Sequence, residues 1–346
     1  MGFDSRQSSY YDGAAMMDTM HLSPIGLIAG EGHLPLHVAE NAFRQGRSVV
    51  AFCIGRNNVR ELQRLCVRTH RVVPGLLERN VALFKSEGVR ELVFAGKVNK
   101  WLLLCNPRLD AMALKLMRQA VQMNDDRVML GLIDYLAGHG LTVLRQVDFL
   151  QNLFVSEGIL TQQSPNERQW LDIRYGFSLA KALGRLDVGQ SVLVKDGMVL
   201  AVEAIEGTDR CIQRAGDLAR RKGGVLIKVA KPEQDPRFDV PTVGLRTLKT
   251  MKKMGIQVLA TEASRTLFLE QAAMVSFADR HGLSIVSVDG ARLPGGAAEA
   301  SAEGDLFSSD SAIQGLGTSS IAERSAQHMQ QVGDASLLVA PEASNP

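Results

Sequence analysis

The chain reads as an α/β protein with a Rossmann-like N-terminal domain and a second α/β domain, and three observations predict this. Short apolar runs of strand length alternate with amphipathic, helix-length segments from Ser23 to about residue 290, the pattern of parallel sheets covered on both faces. The alternation lapses once, over residues 151–166 (QNLFVSEGILTQQSPN). A length of 346 residues also suits two cores better than one. The expected division is a disordered arm at 1–21, a Rossmann-like domain at 22–150, a linker at 151–166, a second α/β domain at 167–290 and a disordered tail at 291–346. The tail contains no lysine and is dominated by Ala, Gly, Ser and Glu, with a short helix expected near 320–332.

The elements follow in order. PIGLIAG (24–30) is a buried strand ending in glycine, and residues 33–45 place Leu34, Val38 and Ala42 beside Leu36, Ala39 and Phe43 at helical spacing. SVVAFCI (48–54) and ELVFAG (91–96) are strands, the latter preceded by the amphipathic LLERNVALFKSEGV. Helical segments at 108–122 and 125–138 lead to a fourth strand, LTVLRQ (141–146). The second domain opens with the helix ERQWLDIRYGFSLAKALG. SVLVKDGMVLAVEAI then folds back on itself around Asp196-Gly197, a hairpin signal. A helix from Thr208 to about Arg221, the strand GVLIKVA, a helix at 243–254, the strand IQVLAT, a helix at 270–281 and the strand LSIVSVD complete it.

Composition narrows the function. A formal charge of +2 and an aromatic content of 5% argue against nucleic acid, which needs a basic, base-stacking surface. Cys53, Cys66, Cys105 and Cys211 are widely spaced and read as reduced thiols of a cytoplasmic protein. No apolar run reaches the ~18 residues that span a bilayer, and the N-terminus has no basic and apolar leader pattern. Any lipid would therefore be handled from the cytoplasmic surface.

Several sites carry chemistry. In GLIAGEGHLP (26–35), a strand ends in Gly30-Glu31-Gly32 before a helix, which can aim backbone N–H groups at a phosphate or make a tight turn. The third glycine and the ribose-binding acid of a dinucleotide site are missing. FAGKVNK (94–100) again ends a strand in glycine and presents Gly96, Lys97 and Asn99 at the crevice side of the sheet. Asp125 and Asp126 open a helix, where capping explains them as well as function does. In AVEAIEGTD (201–209), Glu203, Glu206 and Asp209 gather at a strand's mouth. They are candidate oxygen ligands for a divalent cation, with Gly207 and Thr208 between them, Thr208 as helix N-cap and phosphate-binding N–H groups behind it.

KVAKPEQDPRFDVPTVG (228–244) is far longer than the two to six residues of an ordinary strand-to-helix connection. Pro232, Pro236 and Pro241 stiffen it, and it presents Lys228, Lys231 and Arg237 with Asp235 and Asp239. A rigid loop with both charge signs suits phosphate chemistry: cations neutralise oxygens, while an aspartate orients water or holds Mg²⁺.

Together IGLIAGEGHLP, FAGKV, ALGRLDVGQ, LAVEAIEGTD and KPEQDPRFDVPTVG resemble the two-domain UDP-2,3-diacylglucosamine pyrophosphatases of bacterial lipid A biosynthesis, over about residues 23–289. The chain has Glu31, Asn124 and Ser264 at positions where that family often has glycine. The resemblance implies hydrolysis of UDP-2,3-diacylglucosamine to UMP and 2,3-diacylglucosamine 1-phosphate, with the substrate between the domains and a divalent cation, usually Mg²⁺ and alternatively Mn²⁺. It implies that Asp239, in the D-x-P-T-x-G motif with Thr242, is catalytic. Asp239 and the 203–209 acids would be the metal ligands. The substrate-binding set would be Gly30, Gly32, Gly96, Lys97, Asn99, Asp125, Asp126, Gly207, Thr208, Lys228, Lys231, Arg237 and Thr242. It also implies a peripheral location at the inner membrane, with the assembly open between monomer and homodimer. The competing readings are a nucleotide-sugar or NAD-dependent oxidoreductase and a non-catalytic ligand-binding module.

Overall fold

The computed structural model describes residues 23–56, 58–97, 109–120 and 125–293. The arm expected at 1–21 and nearly all of the expected tail lie outside them.

The first domain runs β1 (Ile25–Ala29), α1 (Leu34–Arg44), β2 (Val49–Ile54), α2 (Val59–Leu65), β3 (Arg68–Val72), α3 (Leu77–Ser86), β4 (Glu91–Ala95), α4 (Ala111–Ala120), α5 (Asp125–Gly138) and β5 (Thr142–Val143). Its sheet is fully parallel in the order β3-β2-β1-β4-β5, the doubly wound order without its sixth strand, with the switch between β1 and β4. Strand periodicity explains why these runs are apolar throughout. Ile25, Leu27 and Ala29 pack with Val38, Ala39 and Ala42 of α1 on one face. Ile28, Val50 and Phe52 pack with Phe84, Leu92 and Leu136 on the other.

β3 gave no signal in the sequence. Its residues are RTHRV, exposed or half-buried except for Val72, and it is the outermost strand, pairing Val50 with Arg68. Charge on an edge discourages pairing with another chain, so the device that protects the strand also hides it. Arg68 lies 3.1 Å from Glu87 at the end of α3.

After two short 3-10 turns (Gln146–Phe149 and Gln151–Leu153), the second domain runs β6 (Gly158–Ile159), α6 (Glu167–Arg185), β7 (Ser191–Lys195), β8 (Met198–Val202), α7 (Thr208–Leu218), β9 (Val225–Lys228), β10 (Thr242–Val243), α8 (Leu245–Met254), β11 (Val258–Glu262), β12 (Leu267–Phe268), α9 (Gln271–Arg280) and β13 (Ser284–Val288). Its main sheet has the order β6-β13-β11-β9-β7-β8. β9, β11 and β13 are parallel; β6 and β7 run against their neighbours, and β8 runs against β7. The β7–β8 hairpin turns at Asp196 and Gly197, both with positive φ (51° and 76°), as such turns require. The buried carboxylate of Asp172 on α6 accepts both turn N–H groups, at 2.9 and 2.7 Å.

The segment expected as linker is folded. Leu153 packs into the first domain's core, whereas Gly158 and Ile159 extend the second domain's sheet beside β13. A second seam crosses between the domains. β10 and β12 form a two-stranded parallel ribbon pairing Thr242 with Leu267 and Val243 with Phe268. Leu267 is buried in the first domain's core and Phe268 in the second's.

α7 and α8 approach closely at Gly216, where a Cβ would sit 2.5 Å from Met254 Cβ and 2.7 Å from its carbonyl oxygen. Helix propensity alone favours Ala over Gly by about 1 kcal/mol. Here the backbone contact should reverse that sign. Gly216→Ala should lower stability by ~1–3 kcal/mol in denaturant melts, and an unchanged or raised midpoint would refute the close packing.

Candidate active site

The carboxyl ends of the second domain's strands converge on one cluster. β8 runs out into Glu203, and the chain turns through Gly207 (φ 80°) into α7. The N-cap is Gly207 rather than the expected Thr208. The Thr208 hydroxyl makes a relay instead: it donates to Glu203 Oε1 at 2.7 Å and accepts from Lys228 Nζ at 2.9 Å. Lys228 ends β9 and is buried. Burial holds its ammonium below the usual lysine range, and Lys97 of the first domain pushes the same way, while Glu203, Asp239 and Asp209 oppose it.

Two of the expected metal ligands are claimed by arginines. Glu206 accepts from Arg214 Nη2 at 2.5 Å and from the Ala204 N–H at 3.1 Å. The Arg214 hydrogen bond is the largest cause holding the Glu206 carboxyl below the usual range. Asp209 lies 2.7 Å from Arg246. Asp239, Glu203, Glu206 and Asp209 therefore do not assemble as one ligand set. Among the described residues, no group of three or more His, Cys, Asp or Glu side chains could hold a metal ion. The reason is ion pairing: Glu206 is neutralised by Arg214, eight residues further along in α7, and Asp209 by Arg246 of α8.

The long loop is fastened at its base. Lys181 Nζ reaches both Glu262 oxygens at 2.9 Å and the Ala230 carbonyl at 2.9 Å, while Glu262 Oε2 accepts the Ala230 N–H. Further along, Asp235 builds a turn. Its carboxylate accepts the Arg237 N–H at 2.9 Å and takes the Arg237 guanidinium in a fork, Nε at 3.0 Å and Nη2 at 2.6 Å. Arg237, expected to face phosphate, is thereby held by Asp235. The Asp235 carbonyl also accepts the Asp239 N–H at 3.0 Å, so this turn sets the position of Asp239.

At its far side the loop leans on the first domain. Phe238 packs against the cluster containing Ile28, Phe52 and Leu92, and Val240 against the cluster containing Leu27, Phe149 and Leu153. The loop is long because it bridges two cores. Beside it an open cleft of about 530 Å³ is lined by Gln151 and Phe154 on one side and by Asp239, Val240, Pro241 and Arg265 on the other.

Lys231 lies between two carboxylates, with Nζ 2.5 Å from Asp187 and 3.8 Å from Asp239. Asp187 was not foreseen as a site residue. It follows α6 with a left-handed backbone (φ 55°), inside the ALGRLDVGQ segment that carried part of the resemblance. Gly189 in the same segment is pressed against β8, where a Cβ would fall 2.0 Å from the Glu203 carbonyl oxygen. Thr242 donates its hydroxyl to the Val240 carbonyl at 3.1 Å and pairs in the β10–β12 ribbon.

The glycine turns of the first domain lock to one another. The Gly30 N–H bonds the Ala95 carbonyl, and Glu31 and Lys97 exchange two backbone hydrogen bonds at 2.7 and 2.9 Å. A Cβ on Gly30 would meet Lys97 O at 2.5 Å, and one on Gly96 (φ 86°) would meet Glu31 O at 2.7 Å. Close backbone packing thus accounts for Gly30 and Gly96, and the N–H groups of Gly30 and Glu31 are engaged inside the protein rather than aimed at a phosphate. Gly32 is open, with φ 94°. Lys97 is exposed beyond this lock. Asn99 lies outside the described residues; Asp125 and Asp126 begin α5, but their side chains are outside the described set. The cysteines Cys53, Cys66 and Cys211 are free, and burial pushes the Cys66 and Cys211 thiols up to about 12.

Two sheet domains with basic strand ends and a clamped aspartate beside one cleft define a two-domain α/β protein with groups suited to a phosphorylated ligand. The chain belongs to the LpxI family: residues 24–153 match the LpxI N-terminal domain and residues 156–286 the LpxI C-terminal domain. It is 31% identical over 280 residues to the UDP-2,3-diacylglucosamine pyrophosphatase LpxI of Caulobacter vibrioides, a match covering 77% of this chain and 97% of that protein.

The Arg237 hydrogen bond is the largest cause holding the Asp235 carboxyl below the usual aspartate value of 3.8. A depressed aspartate stabilises the fold above its unfolded pKa and loses that contribution as pH falls through the folded value. Asp235→Asn should therefore make the loop easier to cleave by limited proteolysis at neutral pH. The difference from wild type should fade in acid-stable protease below about pH 3.8. A difference independent of pH would show that the ion pair is not what holds the turn.

Proposed function

We propose that this chain hydrolyses the pyrophosphate of UDP-2,3-diacylglucosamine, giving UMP and 2,3-diacylglucosamine 1-phosphate, within lipid A biosynthesis. The observation that carries the reading is Asp239, fixed beside the interdomain cleft by the Asp235 turn with the Lys231 ammonium 3.8 Å away, in a chain of this family. Water forms the new bond to phosphorus and the bridging P–O bond breaks. Asp239 orients that water and accepts its proton. Lys231 and Lys228, with Lys97 from the opposite domain, neutralise charge that grows on the phosphate oxygens. The Glu203–Thr208 relay holds the buried Lys228 in place. The oxidoreductase alternative is not favoured, because the N–H groups of Gly30 and Glu31 are engaged by the Ala95 and Lys97 carbonyls.

A divalent cation, Mg²⁺ or Mn²⁺, belongs to this reading. The described residues offer no all-protein cage, but Mg²⁺ is commonly held by one or two carboxylates together with substrate phosphates, and Asp239 meets that requirement. When bound, the cation would offset charge on the pyrophosphate. In this reading the protein works at the cytoplasmic face of the inner membrane, since its substrate carries two acyl chains. Among the described residues no helix is long and apolar enough to cross a membrane.

Asp239→Ala should fold normally and lose 10²–10⁴-fold in kcat, an order-of-magnitude range for lost acid–base work, while uncleaved substrate co-purifies with it. Retention of more than about a tenth of wild-type kcat would move the catalytic role elsewhere, Glu203 first. Metal dependence is checked separately. Excess EDTA should abolish turnover and added Mg²⁺ restore it, whereas full activity in EDTA would remove the cation from the reaction.

A further inference from the structure

We propose that Leu186, Val188 and Ile205 form a rim that docks on a phospholipid bilayer beside the cleft; this rests on the proposed lipid-nucleotide substrate. Ile205 is 98% exposed, Leu186 73% and Val188 45%. They sit on two turns held tightly together. The 186–189 turn is closed by Val188 N–H to Leu183 O and Asp187 N–H to Gly184 O, and Gly189 abuts the Glu203 carbonyl. The Ile205 turn is closed by Gly207 N–H to Ala204 O and by Glu206, which binds the Ala204 N–H while Arg214 holds its carboxylate. Side chains on such turns stay presented to the outside; they cannot fold away to reach a core.

These turns are also parts of the site. Between Leu186 and Val188 the chain places Asp187 on Lys231, and two residues before Ile205 it places Glu203 on Thr208. The apolar rim is therefore continuous with the groups that face the phosphates. Arg210 on the same segment is exposed and adds a positive charge, while Arg214 and Arg246 answer the neighbouring acids Glu206 and Asp209. Shallowly inserted aliphatic side chains backed by arginine suit an anionic leaflet. A diacylated substrate drawn from that leaflet would enter beside the site without first crossing water.

The test uses the full chain and vesicles of phosphatidylethanolamine and phosphatidylglycerol. Wild type should sediment with the vesicles, and a Leu186→Ser, Val188→Ser, Ile205→Ser triple variant should lose at least about tenfold in vesicle affinity, the scale of losing one well-buried aliphatic side chain. Its melting temperature and its kcat on detergent-dispersed substrate should stay at the wild-type level, while turnover of vesicle-embedded substrate falls with binding. Ile205→Ser alone should show a smaller loss in the same direction. The proposal is overturned if wild type ignores vesicles, if the variant binds them equally, if detergent and vesicle turnover fall together, or if wild type is a dimer that the variant breaks. Failure of wild type to cleave dispersed substrate would instead sink the proposed function, leaving the vesicle result to be read on its own.

Discussion

The site depends on how residues 229–241 are pinned at both ends. At the base, Glu262 carries Lys181 and the Ala230 N–H on one carboxylate. At the far end, Phe238 and Val240 sit against the first domain's cores. A charge with only 11% of its side chain exposed, as for Glu262, is tolerated because its cation and hydrogen bonds replace water. Stripping one partner from such a pair leaves an uncompensated charge, and that is costly. The loop's charged groups are thus held by the second domain's interior and aimed by the first domain's surface.

The same logic separates the charged groups into two populations. Asp235 with Arg237, Glu206 with Arg214, and Asp209 with Arg246 are close pairs that shape turns and helix starts. Lys228, Glu203 and Asp239 are linked more loosely: a hydroxyl stands between the first two, and Asp239 approaches Lys231, itself paired with Asp187, only to 3.8 Å. Groups in the second population keep electrostatic capacity for a ligand, because part of their potential is not spent inside the protein. Lys228 is the extreme case, buried with its ammonium disfavoured by burial. A phosphate nearby would favour its charged form.

Much of this architecture was legible because parallel sheets demand long apolar runs and the hairpin demands Asp196-Gly197. What escaped notice was short or set at long range. β3 is charged because it is an edge, and β10 and β12 are two residues each, too short for periodicity. In the site, Asp239, Lys228 and Lys231 could be picked out from a stiff loop of mixed charge. Their partners could not, since Asp187 meets Lys231 only after α6 and β9 pack. The glycines of the first domain misled for a physical reason: a residue that lets backbone approach a phosphate equally lets backbone approach backbone, and at Gly30 and Gly96 it does the second. The acids at 203–209 likewise looked like a cation site until Arg214 and Arg246 were seen to neutralise two of them.

The ribbon of β10 and β12 limits the ways the molecule can move. Leu267 and Phe268 are neighbours in the chain, yet one is embedded in each lobe. This peptide unit is therefore one tie between the lobes, alongside Phe238 and Val240, and neither residue can withdraw without opening a cavity behind it. Sliding of one lobe along the other, or straight separation, would pull at least one of the two residues out of its core. Rotation about an axis through the ribbon disturbs them least. The kinematics are those of a book with a sewn spine: the leaves part most at the edge furthest from the stitching, and groups beside the spine keep their mutual distances throughout.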